Sequence, residues 1–334
     1  MMQVGDKNLI TDVAGLCVGN AHDLALKSGV TVLTSDAPMM ASYHVMGGAP
    51  GTRDTELLDP DKTVQTVDAF VLSGGSAFGL DAASGVVKRL RETGRGFRVG
   101  AHHVPIVPTA ILFDLMNAGD KNWTDNPYPK LGEAAYDACG TTFELGTQGA
   151  GFGALCGIMK GGLGSASFRL DADAHVGALI AANPIGNVTD HTGKHFWAAP
   201  FEVDGEYGGV GSPNSAGQGQ SLDQTKLGRL IERANTTIGI VATELTLSKA
   251  ELKRLAVVAH DGLARAIVPS HLPMDGDLIF AVSTQKIKHN PTSIEFAELC
   301  HSAALCVSRA TARGIYNASP QPGDTLPTWS ELNS

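Results

Sequence analysis

The sequence predicts an α/β protein. Short apolar runs rich in β-branched residues recur at 29–35, 67–73, 176–182, from Ile238 onward and at 278–284, a length that suits buried strands. Helical patterns with start and stop signals stand beside them, ending near 92, 266 and 313. Glycine-rich tracts at 74–79 and 146–167 separate the two kinds of element.

Residues 29–35 (Gly-Val-Thr-Val-Leu-Thr-Ser) alternate and read as a strand. A Gly/Pro loop follows at 46–56 and carries Arg53 and Asp54. That pair reads as a surface ion pair; the competing reading has Arg53 fixing a substrate carboxylate. The run at 67–73 leads into Gly74, Gly75 and Ser76 and then a helix to about Glu92, with Gly94 at the C′ position. A strand, a glycine turn and a helix start can hold an anion on backbone N–H groups. The P-loop Lys-Ser/Thr is missing, and the dinucleotide fingerprint is incomplete. Tight strand–helix packing is therefore weighed against a pocket wall or donors near an oxyanion.

Pro105 and Pro108 exclude a central strand through 99–115. His102 and His103 are adjacent, so on a strand they face opposite sides and do not share a metal. Residues 117–140 read as loop, then helix. In the second glycine tract Lys160 is the only charge. Enclosed, its ammonium needs a partner or a lowered pKa; exposed, it is an ordinary solvated lysine. The run at 176–182 exits at Asn183-Pro184. His191 and His195 fail the His-Glu-x-x-His zinc pattern because Glu is absent from its second slot, and Gly193 lies between them. Residues 203–221, rich in Gly, Ser, Asn and Gln, read as a mobile surface linker, and 222–234 as a helix.

Ser248 and Glu251 form a capping box. The helix they open carries Leu252, Leu255, Ala259, Leu263 and Ala266 on one face and stops before Pro269. Asp275-Gly276-Asp277 precedes the strand at 278–284. Alternate residues share a side, so both carboxylates can face one site; the plainer reading is a turn with Asx bonds. A last helix spans about 292–313 and ends at Gly314. The tail after Asn317 reads as irregular.

At 334 residues the chain can form one large domain or two ordinary ones, and 43% hydrophobic content supplies a core. A net charge of −9 without a basic run disfavours nucleic acid as a partner. Five scattered cysteines without a C-x-x-C pair read as reduced thiols. No signal-peptide pattern and no membrane-length apolar run are found, so the expectation is a soluble cytoplasmic protein.

The chemically sharpest stretch is Asn235-Thr236-Thr237 at the mouth of the run from Ile238. On residues alone it reads as a turn. It also fits a scissile bond followed by a nucleophile. A terminal Thr has its own α-amine beside its hydroxyl, with a reference pKa of about 7.7–8. Thr236 acquires such an amine only if the Asn235–Thr236 bond is cut.

Taken together, Gly74-Gly-Ser-Ala-Phe-Gly-Leu-Asp81, Val104-Pro-Ile-Val-Pro108, Lys160-Gly-Gly-Leu-Gly-Ser165, Asn183, Asn235-Thr-Thr-Ile238 and Asp275-Gly-Asp277 span most of the chain. Their set and order resemble the L-aminopeptidase/D-esterase family of self-processing peptidases. That family includes β-peptidyl aminopeptidases and the 6-aminohexanoate-oligomer endo-hydrolase. The resemblance implies one domain, 1–334, folded as a four-layer α/β/β/α sandwich like N-terminal-nucleophile hydrolases, with a different strand order. It implies a cut into an α chain, 1–235, and a β chain, 236–334, with Thr236 as nucleophile. Asp275 and Asp277 match acidic or hydroxyl residues beside the nucleophile, Asn183 an oxyanion-holding Asn, and Lys160 a motif lysine. Gly74, Gly75, Ser76 and Phe113 match the substrate pocket. Phe113 stands where the family often has a Tyr, so that hydroxyl is missing. The expected substrates are short peptides, amino-acid amides or esters, or ω-amino-acid oligomers. No metal or organic cofactor is implied, and homo-oligomers of αβ protomers are. The rival readings are an ornithine-acetyltransferase-like acyl transferase and a non-catalytic small-molecule-binding homologue.

Overall fold

The computed structural model describes residues 2–171, 173–214, 219–228 and 235–334. The strands are β1 (Gln3–Val4), β2 (Leu16–Asp23), β3 (Ser28–Val45), β4 (Thr52–Arg53), β5 (Thr66–Ser73), β6 (Phe97–Val99), β7 (His102–Val104), β8 (Thr109–Ile111), β9 (Leu155–Cys156), β10 (Met159–Lys160), β11 (Gly162–Arg169), β12 (His175–Asn183), β13 (Thr236–Leu245) and β14 (Leu278–Ile287). The helices are α1 (Ala82–Glu92), α2 (Tyr128–Asp137), α3 (Lys249–Ala266), α4 (Ser293–Tyr316) and α5 (Trp329–Asn333).

The period of two along the strands sorts the core into three layers of side chains. On β13, Ile238, Ile240 and Ala242 enter a central cluster shared with Phe70 and Leu72 of β5 and Phe280 of β14. Val241 and Leu245 point the other way, into a cluster with Leu255 and Leu263 of α3 and Val307 of α4. On β5, Ala69 and Val71 turn outward with Val30 and Val32 to meet Val86 and Leu90 of α1. Helices α3 and α4, one sheet face, a second sheet face and helices α1 and α2 thus stack as α/β/β/α. Strand β3 connects the two sheet layers. Its first part pairs with β2 and β5, its last part with β14, and its register against β5 shifts between Thr34 and Met39. The ladder runs β1-β11-β12-β13-β14-β3-β5-β8-β4, with β13 and β14 parallel and central.

Most elements lie where the sequence places them. Ser248 accepts from the Glu251 amide as the predicted cap of α3. Gly94 follows α1 with φ at 71°, the left-handed conformation the stop signal required. The prolines keep their neighbours short: β7 ends before Pro105, and β8 begins after Pro108.

Four expectations are corrected. Helix α4 passes through Gly314 to Tyr316. A Cβ on Gly314 would lie 2.9 Å from the Gly164 nitrogen, so this glycine admits β11 to the helix rather than ending it. Residues 222–228 form turns, not helix, and 229–234 lie outside the described residues. The segment read as a linker is pinned along its first part. Tyr207 is fully buried and donates to the Ala198 carbonyl at 2.8 Å, while Glu206 pairs with buried Arg309 at 2.5 Å. The tail closes with α5, capped by Thr328. Among the described residues no helix is long and apolar enough to cross a membrane.

Candidate active site

Strand pairing alone assembles the site. Thr236 opens β13, and Asn183, the last residue of β12, is its cross-strand partner. On the other side, Asn235 bridges to Asp275 just before β14 begins. Three segments far apart in sequence therefore meet at one end of the central strands.

The bond between Asn235 and Thr236 is buried, with Thr236 only 4% exposed. The Thr236 hydroxyl donates to the Asn235 carbonyl oxygen at 2.5 Å. The Gly276 amide donates to the same oxygen at 2.9 Å. The Gly276 amide would stay in place as a donor if negative charge grew on that oxygen. A Cβ on Gly276 would stand 2.6 Å from the Thr236 Oγ1, so only glycine leaves that hydroxyl its position.

The two carboxylates face the same region but have different partners. Asp277 accepts from the Thr237 amide at 2.7 Å through Oδ1, and from the His271 ring at 2.8 Å and the His271 amide at 3.2 Å through Oδ2. Among the described residues, Asp275 accepts from the amides of Ile185, at 3.2 Å, and Leu272, at 3.0 Å. Burial, and then the charge of Asp277, raise its pKa well above the usual carboxylate range. Asp275 is the carboxylate able to hold a proton.

Asn183 is held from three sides. Its Oδ1 accepts from the Leu155 amide at 2.9 Å and from Lys226 at 3.2 Å, and its Nδ2 donates to the Phe113 carbonyl at 2.9 Å. Phe113 therefore meets Asn183 through its backbone. Lys226 is 3% exposed, and its ammonium also reaches the Asn183 carbonyl at 3.1 Å. Burial lowers its pKa to about 7, and among the described residues no carboxylate hydrogen-bonds it. Sequence reasoning missed Lys226 and His271. Neither carries a local motif, although a lysine ten positions ahead of a candidate scissile bond was a signal open to use.

Lys160 is enclosed, at 3% exposed, and its ammonium pairs with Asp324 at 2.6 Å, which Lys27 shares at 3.1 Å. Among the described residues none of its hydrogen bonds reaches Thr236, Asn183, Asp275 or Asp277. The amides of Gly74, Gly75 and Ser76 are engaged inside the fold, by the Gly29 carbonyl, Asp114 and the Leu112 carbonyl. Arg53 pairs with Asp54 at 3.6 Å, half-exposed, as the surface reading had it.

Two sheet layers packed face to face between two helical layers are the architecture of the Ntn hydrolase type of fold. The chain belongs to peptidase family S58, whose model matches residues 8–326. It is 39% identical over 343 residues to an uncharacterized aminopeptidase of Mycobacterium tuberculosis, covering 97% of this chain and 98% of that one. It is 30% identical over 290 residues to the 6-aminohexanoate-oligomer endohydrolase of Kocuria sp., covering 85% of this chain and 77% of the other. Among solved structures, a Burkholderia sp. beta-aminopeptidase matches with a TM-score of 0.72 at 22% identity, over 100% of this chain and 94% of that one. The L-aminopeptidase D-Ala-esterase/amidase of Ochrobactrum anthropi, described as a variant of the Ntn hydrolase fold, matches with a TM-score of 0.72 at 21% identity, over 99% and 93%. The protein is a hydrolase of this family.

Proposed function

We propose that the protein is a self-processing N-terminal-threonine aminopeptidase or amidase. The observation that carries this reading is the Thr236 hydroxyl set 2.5 Å from the carbonyl oxygen of the bond before it, with the Gly276 amide on that same oxygen. In the precursor, Thr236 Oγ adds to the Asn235 carbonyl carbon. The C–N bond breaks, nitrogen takes the hydroxyl proton, and an ester joins Asn235 to the Thr236 oxygen. One water opens that ester, leaving a carboxylate at Asn235 and a free amine and hydroxyl on Thr236.

The products are 1–235 and 236–334, two pieces of one domain. In the mature enzyme the Thr236 amine takes the proton from its own hydroxyl as Oγ attacks a substrate amide or ester, then returns it to the leaving amine. Asp277 fixes the start of β13 through Thr237, Asp275 exchanges protons beside it, and Asn183 and Gly276 face the oxyanion. Removing one such donor costs about 3–4 kcal/mol in the transition state. Gly74, Gly75, Ser76 and Phe113 then serve as pocket wall, and Lys160 as support through Asp324. The uncut chain buries its own nucleophile, so turnover waits on the cut.

The substrates proposed are short peptides, amino-acid amides or esters, or ω-amino-acid oligomers, handled in the cytoplasm by homo-oligomers of αβ protomers. Intact mass spectrometry tests the reading. Two fragments split at Asn235–Thr236 are expected, and a Thr236→Ala chain that stays whole and inactive. A Thr236→Ala chain that hydrolyses amides at the parent rate overturns it. Assaying acetylornithine transfer beside hydrolysis separates the acyltransferase alternative.

A further inference from the structure

We propose that His271 is a positioning residue of this site, holding the Asp277 carboxylate against the Thr236–Thr237 backbone. The proposal rests on the reading of Thr236 given above and adds a part to it. His271 lies outside the strands, in the loop between α3 and β14, and does not touch the scissile bond. It reaches Oδ2 of Asp277 twice, through its ring Nδ1 at 2.8 Å and through its own amide at 3.2 Å, while its Nε2 lies 3.5 Å from the His260 carbonyl oxygen. The other oxygen of that carboxylate takes the Thr237 amide at 2.7 Å. Asp277 is thus a bridge with one end on β13 and the other on His271. Its side chain is 1% exposed and that of His271 15%. A carboxylate acceptor fixes the tautomer, so Nδ1 carries the proton.

The backbone of His271 is left-handed, with φ at 58°, a conformation that costs a non-glycine residue and persists where the surroundings hold it. The holding structure is a column of rings. His271 meets His260 of α3 edge-on at 5.0 Å, and His260 meets His44 of β3 at 5.3 Å. His260 is fully enclosed and bonds the His44 carbonyl at 3.0 Å. The residues just past β3 then close the loop, because the amides of Met46 and Gly47 donate to the Asp277 carbonyl at 3.0 and 3.1 Å. The groups that face His271 are therefore Asp277, Asp275, His260 and His44. Burial opposes the His271 cation, but the bond to Asp277 and its charge outweigh it and hold the pKa above its ordinary value.

An Asn side chain puts an amide N–H on the same γ branch as the imidazole Nδ1, whereas Gln places it one atom further out. This gives a test that separates holding from packing. His271→Asn is expected to keep self-cleavage and turnover within about threefold of the parent. His271→Gln and His271→Ala are expected to lose about 10- to 100-fold in kcat, with KM little changed, as for a lost charge-assisted hydrogen bond. In an Asp277→Asn background, His271→Ala should cost little more than Asp277→Asn alone. That cycle is read on folded protein, checked by circular dichroism.

The proposal is overturned if all three His271 variants match the parent, if Asn falls as far as Ala, or if the losses at His271 and Asp277 simply add. Its failure is distinct from failure of the nucleophile reading, which shows instead as a Thr236→Ala chain that is cut or active.

Discussion

Gly276→Ala tests whether the position of one hydroxyl governs maturation. The added methyl leaves the Gly276 amide, and its bond to the Asn235 carbonyl, chemically intact. It does not strain the backbone through an unusual φ. Its carbon would stand 2.6 Å from the Thr236 Oγ1, 3.2 Å from its Cγ2 and 2.7 Å from the Ala49 carbonyl oxygen. Ordinary van der Waals contact begins near 3.4 Å, so the hydroxyl has to retreat by about 0.8 Å. A misplacement of about 1 Å at a reacting atom can cost about 10²-fold in rate. The overpacking itself costs about 1–3 kcal/mol, within what a protein stable by about 5–15 kcal/mol survives. The assay follows loss of the 34.7 kDa full-length chain by mass spectrometry after rapid purification. Gly140→Ala is the control, since the atom nearest its methyl is 3.7 Å away. Maturation of Gly276→Ala at the parent rate, in folded protein, would refute the reasoning.

Two further predictions concern pH and use the uncut Thr236→Ala chain as parent. Lys226 has its folded pKa lowered from 10.5 to about 7, so the unfolded chain binds the extra proton between those values. Its contribution is full above the unfolded pKa and is lost as pH falls toward 7, and Lys226→Met should flatten the parent's rise of stability over this window by up to about 1.4 kcal/mol per pH unit. Urea unfolding at several pH values checks this, and parallel curves count against it. Asp275 has the opposite sign. Its folded pKa is raised, so its contribution is present below the ordinary carboxylate pKa and lost as pH rises through the folded one. Asp275→Asn should remove that decline and, in the cleavable chain, slow turnover at least about tenfold, measured as kcat on an amino-acid amide. Turnover unchanged by Asp275→Asn argues that the proton is handled elsewhere.

Some of this architecture was legible because its causes are local. Short apolar runs placed β5, β12, β13 and β14, and Ser248 with Glu251 placed the start of α3, because strand preference and capping act over a few residues. Asn235, Thr236, Asp275 and Asp277 could be named because each lies at the mouth of such a run. Lys226 and His271 were not legible, since what matters about them is a contact made across the fold. Lys226 matters only because turns deliver it to Asn183, and His271 only because α3 and β3 stack two rings behind it. Gly314 misled for the same reason. A glycine near the end of a helical pattern reads as a stop, whereas its use here is to let β11 approach. Tyr207 and Glu206 were lost in a polar, glycine-rich composition, yet one buried ring and one buried ion pair fasten that segment.

The order of the central strands bears on what a cut at Asn235 could release. Strands β13 and β14 belong to the shorter fragment, and they lie between β12 and β3 of the longer one. The small piece is a wedge gripped along both edges, with Arg309 latched to Glu206 across the divide. Scission therefore frees an end without freeing a body. The nicked protein should migrate as one particle until denatured, and the separated halves, each robbed of its neighbours in the ladder, should not find their way back.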